Sequence, residues 1–140
     1  MTQRYLTTLT LLLSLTPQAL LLAERASVPL APNLNPEIIV AKVHADWCAS
    51  CQVVEPHFQG LRQEFIGEPV LFLVFDRTDE GAIANSVKLA KALNLDEVFA
   101  EHTKTGELLV IDTETEDVIE IFTKEDSRDA MGSFLRERLE

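Results

Sequence analysis

From residue 38 onward the chain alternates between two kinds of apolar spacing. Ile38-Ile39-Val40-Ala41-Lys42-Val43-His44 is a mostly apolar run rich in β-branched residues, the pattern of a strand covered on both faces. From Ala49 to Phe65 the spacing changes: Val53, Val54, Phe58, Leu61 and Phe65 recur at helical intervals, with Pro56 inside the stretch. A helix kinked at the proline is expected. Gly67-Glu68-Pro69 breaks the chain before a second apolar run, Val70 to Phe75, closed by Asp76. Strand, helix and strand of this kind predict a right-handed βαβ unit with a parallel pair.

A second helix is predicted over Gly81 to Leu93, where Ile83, Val87, Ala90 and Leu93 share a face. The stretch after it is poorly patterned. Glu107 to Ile111 and Asp117 to Phe122 are then two short β-rich runs, and the polar link Asp112 to Glu116 makes them an antiparallel hairpin. Asp126 or Ser127 is placed to cap a last helix that turns Ala130, Phe134, Leu135 and Leu139 inward. The order is β-α-β-α-β-β-α, an α/β fold with a central mixed sheet of about four strands flanked by helices.

Ahead of this domain the pattern differs again. One positive charge, Arg4, precedes an apolar run from Leu6 to Ala23, and the first acid is Glu24. That is the outline of a signal peptide over residues 1–26, and the alternative is an uncleaved membrane tether through residues 6–23. Interspersed Thr, Ser, Gln and Pro make the run more polar than a typical span of about 20 apolar residues. Residues 27–36 hold three prolines and two asparagines and are expected to form a linker into the domain at 37–140. Export places the protein in the periplasm or an equivalent lumen.

Charge and cysteine content narrow the chemistry. The formal charge is −11, and −12 once Arg4, Arg25 and Glu24 are left out with the leader. Nucleic acid is repelled by such a surface, whereas basic partners are favoured. The chain has two cysteines, Cys48 and Cys51. A bridge between them closes too small a loop to remove much entropy from the unfolded chain, so redox or metal chemistry is a better use than stapling.

Trp47-Cys48-Ala49-Ser50-Cys51, joining the first strand to the first helix with Pro56 five residues beyond Cys51, resembles the active-site turn of the thioredoxin family. The resemblance covers residues 37–140 and implies a thioredoxin-like fold and thiol–disulfide exchange with protein thiols or disulfides. It implies a membrane or soluble redox partner, and no cofactor. In place of the family's buried acid, six residues before the first cysteine, stands Lys42. Where the family has a cis-proline, the matching place is near Gly106, and no proline follows Pro69.

A cysteine at a helix N-terminus has its thiolate favoured by unpaired backbone N–H groups and the helix dipole. Cys48 is therefore expected to attack, and Cys51, one turn further in, to resolve. Trp47 either shields one side of the pair or is an ordinary, partly buried aromatic. Lys42 either turns its ammonium towards the Cys48 thiolate or reaches solvent from the strand end. His44 is a proton donor, a metal ligand or a satisfied histidine at the strand end. Two other functions fit the same residues. One is a redox-inactive binding module using the acidic surface and the loop from Asp96 to Gly106, and the other is metal delivery through Cys48, Cys51 and a histidine.

Overall fold

The computed structural model describes residues 35–140. The expected signal or anchor at 1–26, the tether at 6–23 and all but the last two residues of the linker lie outside the described residues. Among the described residues no helix is long and apolar enough to cross a membrane.

Four strands form one mixed sheet in the order β2-β1-β3-β4, where β1 is Ile38–His44, β2 Val70–Asp76, β3 Glu107–Asp112 and β4 Val118–Phe122. Strand β1 pairs parallel with β2, with Lys42 opposite Val74 and His44 opposite Asp76, and antiparallel with β3. Its central place explains its sequence. Both faces are buried, so alternation gives way to a continuous apolar run.

The side chains of β1 serve two cores in turn. Ile38 and Val40 pack with Val54, Phe58 and Leu61 of helix α1 (Ala49–Glu64) and with Met131 and Leu135 of helix α4 (Arg128–Arg138). Ile39, Ala41 and Val43 pack on the opposite face against Phe75, Ala90, Leu95 and Phe99, under helices α2 (Glu80–Ala92) and α3 (Asp96–Glu101). Phe58 is fully buried and meets Phe72 edge to face at 5.7 Å between ring centroids. Truncating it to alanine is expected to cost about 3–5 kcal/mol.

Several local expectations are revised. Val53 is half exposed, because the buried stripe of α1 runs through Val54, Phe58 and Leu61 and a neighbour in sequence lies about 100° away on a helix. On α4, Met131 and Leu135 are the buried pair one turn apart and Ala130 is exposed. Ser127, whose hydroxyl accepts from the Ala130 N–H at 3.2 Å, is the cap. The patternless stretch holds α3, whose six residues are too few to display a helical period although Val98 and Phe99 are buried. Pro56 lies within α1, which is a single helix on both sides of it.

Candidate redox site

Strand β1 ends at His44, and the chain turns through Ala45, Asp46 and Trp47 into α1. Cys48 is the N-cap of that helix, with extended backbone angles, and its sulfur accepts the Cys51 N–H at 3.1 Å. The backbone carbonyl of Cys48 accepts from the same N–H at 3.2 Å. The first acceptor of helix α1 is thus the sulfur itself, in the place a serine or aspartate oxygen usually takes.

Both thiols are reduced and both are buried, Cys51 almost completely. Burial pushes the Cys48 thiol up, but hydrogen bonds from the Cys51 and Thr105 side chains and from the Cys51 and Ser50 backbone outweigh it, leaving the group below 9.0. For Cys51 burial is again the largest effect. The Cys48 hydrogen bond and charge add to it, against smaller opposite effects of the Ala45 backbone and the Lys42 ammonium, and the thiol is pushed up to about 11. The two sulfurs thus differ in the direction that separates an attacking thiolate from a reserve thiol.

Gly106, at the entry to β3, closes the other side of the turn. Its φ of +88° is in the left-handed region, and a Cβ built there would meet the Ser50 Cβ at 2.6 Å. Its N–H donates to the Val43 carbonyl oxygen at 2.8 Å. The Cys51 thiol donates to the same oxygen at 3.7 Å. The loop is therefore fastened to the strand directly beneath the cysteines without a proline, and no cis peptide bond is present among the described residues.

Lys42 does neither of the two things expected of it. Its side chain is 6% exposed, is ion-paired with Glu55 on α1 and lies over the Phe58 ring at 5.2 Å. Even-numbered positions of β1 face α1, so a long side chain there meets the helix before it can reach water. Trp47 is 69% exposed, too open to be an ordinary partly buried aromatic, and its indole N–H donates to the Thr78 carbonyl at 3.2 Å. The Nε2 atom of His44 is 3.1 Å from Asp46 Oδ1, while its Nδ1 is buried without a partner among the described residues. That histidine is only half satisfied. No group of three or more His, Cys, Asp or Glu side chains that could hold a metal occurs among the described residues, so no histidine completes a site with the two sulfurs there.

Three contributors were not singled out from sequence. Thr78 donates its N–H and hydroxyl to Asp76 and accepts the Asp46 N–H at 3.0 Å, tying the β2–α2 loop to the cysteine turn. Its signal was the Asp-Arg-Thr-Asp run at the strand end, which is typical of side-chain-to-backbone turns. Glu55 was legible as the residue one helical turn after Cys51. Thr105, whose side-chain hydrogen bond helps to lower the Cys48 thiol, carried no sequence signal beyond its place before Gly106.

The thioredoxin family model matches residues 31–107. No curated protein matches. Among solved structures, a mutant thioredoxin from Halobacterium salinarum NRC-1 is 18% identical, with a TM-score of 0.50, covering 75% of this chain and 77% of that one. Trxlp from Edwardsiella tarda EIB202 is 17% identical with a TM-score of 0.47, covering 71% and 82%. The oxidised thioredoxin of Plasmodium falciparum is 10% identical with a TM-score of 0.47, covering 75% and 84%.

Proposed function

The chain belongs to the thioredoxin family, whose general activity is thiol–disulfide exchange, and from that premise we propose that it is an exported oxidoreductase acting on the thiols or disulfides of other exported proteins through Cys48 and Cys51. The observation that carries this reading is the Cys48 sulfur in the N-cap position, accepting the Cys51 N–H at 3.1 Å. An anion there is favoured by the helix terminus.

In the reducing direction the Cys48 thiolate attacks one sulfur of a substrate disulfide, and the other sulfur leaves as a thiolate. A mixed disulfide between Cys48 and substrate remains. Cys51, deprotonated, then attacks the Cys48 sulfur, the substrate leaves with both its sulfurs reduced, and the pair retains a disulfide. Two electrons pass to the substrate, and a soluble or membrane-bound redox partner returns them. Oxidation of substrate thiols is the same sequence reversed. Export is supported by the charge and apolar order of residues 1–23.

Purified protein should reduce or form a model protein disulfide catalytically, and Cys48→Ser should abolish this. Equal turnover by wild type and Cys48→Ser would overturn the reading of the pair. Separately, residues 1–36 fused to a reporter should carry it across a membrane, and retention of the reporter in the cytoplasm would overturn export.

A further inference from the structure

Lys42 is a buried cation on β1, paired across to helix α1, the helix that starts at the cysteine pair. A charge in such a place is costly unless it is paired, and its pairing fixes where it sits. Its partner Glu55 stands four residues after Cys51, and the ring under its ammonium, Phe58, stands seven after. Positions i, i+4 and i+7 lie along one face of a helix, with neighbouring Cβ atoms about 5–6 Å apart. The ammonium is thus held on the face of α1 that carries Cys51, by a carboxylate one turn from its sulfur. The adjacent strand residue, Val43, supplies the carbonyl oxygen that the Cys51 thiol contacts.

Resting on the redox reading above, we propose that Lys42 is a positioning residue for the resolving step: its ammonium, anchored by Glu55, stabilises the Cys51 thiolate as it attacks the Cys48–substrate disulfide. The bond formed is Cys51 Sγ–Cys48 Sγ, and the bond broken is Cys48 Sγ–substrate sulfur. The electron pair of the broken bond leaves on the substrate sulfur. The Cys51 proton passes to water, and Lys42 keeps its own. A positive charge cannot serve as a base, so this device assists ionisation by field alone, and the neighbouring Glu55 opposes it by its negative charge.

The charged or titratable groups around Cys51 come from two elements and the strand beyond them. Cys48 at the head of α1 and Lys42 on β1 act on Cys51 itself, and Glu55 on α1, His44 on β1 and Asp76 on β2, opposite His44 in the parallel register, surround Lys42. Of these Lys42 favours the Cys51 thiolate, and Cys48 opposes it. Asp76 is engaged by the Thr78 N–H and hydroxyl.

The test uses the Cys48→Ser background, in which Cys51 is the single thiol, and follows its ionisation by the Cβ NMR chemical shift against pH. Adding Lys42→Met should raise the midpoint by about one unit, the lower end of what a nearby opposite charge does. Lys42→Arg should restore it, and Glu55→Gln should lower it. In the intact pair, release of thionitrobenzoate from a Cys48 mixed disulfide should slow about tenfold in Lys42→Met, while capture by Cys48 stays within about twofold. A merely structural Lys42 would give midpoints that do not move, or that move the same way in Lys42→Met and Glu55→Gln, and either result overturns the proposal. Should Lys42→Met fail to fold by circular dichroism, Lys42→Arg and Glu55→Gln decide, and a Glu55→Gln midpoint unchanged or raised overturns it. Midpoints that move as expected in a protein without turnover would sink the redox function and leave the electrostatic device standing.

Discussion

Gly106 packs against Ser50 so closely that a methyl group on the glycine would stand 2.6 Å from the Ser50 Cβ. The same residue has a φ of +88°, which an L side chain adopts only at a cost of roughly 1–2 kcal/mol. Overpacking against a helix terminus adds about 1–3 kcal/mol more. Gly106→Ala is therefore expected to lose roughly 2–5 kcal/mol in chemical denaturation. It should also disturb the cysteine turn, seen as a change in the alkylation rate of Cys48. A variant as stable as wild type would mean that the loop and the helix start are free to separate.

The opposite displacements of the two thiols give an order of reaction. Cys48 is held below 9.0, and Cys51 is pushed up to about 11. A thiol with a lowered pKa ionises earlier as pH rises, so of the two sulfurs Cys48 is the first to form a thiolate. Limited iodoacetamide at pH about 7.5 should label Cys48 alone, with Cys51 reacting only on strong alkalisation or unfolding. Peptide mass spectrometry reads the order. Equal labelling of both cysteines in the folded protein would contradict it.

The long helices were legible because each repeats one period over enough residues to show it, and β1 and β2 because each is a mostly apolar, β-rich run between breakers. Cys48 and Cys51 were legible because their spacing in front of a helix leaves few other uses. What Lys42 does was not. Its identity is in the strand, but its partner depends on which face of α1 comes down over it, and that follows from the packing of Val54, Phe58 and Leu61. Sequence spacing offered solvent or Cys48 as its destination, whereas a neighbour 13 residues along the chain holds it. Why Trp47 is open rather than partly buried has a related cause: its indole reaches back to the Thr78 carbonyl, a loop contact with no sequence period behind it.

The Lys42–Glu55 pair makes stability depend on pH in a stated direction. Hydrogen bonding to Lys42 is the largest influence on Glu55 and holds its carboxyl below 4.5. Stability from a depressed carboxylate is present above its unfolded pKa and is lost as pH falls through the folded value. Glu55→Gln should therefore be less stable than wild type at pH above 4.5, with the difference fading in more acid solution. About 1–3 kcal/mol is expected at neutrality, less than for a fully buried pair because the Glu55 end meets solvent. Urea denaturation of both proteins across this range checks it, and a gap that persists unchanged into acid would mean that charge is not its origin.

Thr78 links Asp76 to the backbone of Asp46, so Thr78→Val, nearly equal in volume, should remove two hydrogen bonds without opening a cavity. A loss of roughly 1–2 kcal/mol is expected. Trp47, the single tryptophan, should report the loosened turn as a change in fluorescence emission and anisotropy. Loss of stability with an unchanged tryptophan signal would mean that the loop is not what holds the cysteine turn.

The strongest discrimination comes from treating the two cysteines separately. Cys51→Ser removes the thiol proposed to break the mixed disulfide but leaves the Cys48 sulfur at the head of α1. Substrate should be captured and held. Cys48→Ser leaves only Cys51, which is about 1% exposed and whose thiol is raised rather than lowered, so it should neither trap nor turn over. The variants are to be expressed as the full chain and resolved on non-reducing gels, with the same samples reduced as the control. Serine is close to cysteine in size and can accept the Cys51 N–H at the N-cap, so loss of activity in Cys48→Ser is expected in a protein that still folds. Covalent complexes in Cys51→Ser alone follow from the assigned roles. Complexes in both variants, or in neither while the wild type still turns over a model disulfide, would mean that attack and resolution have been assigned to the wrong sulfurs.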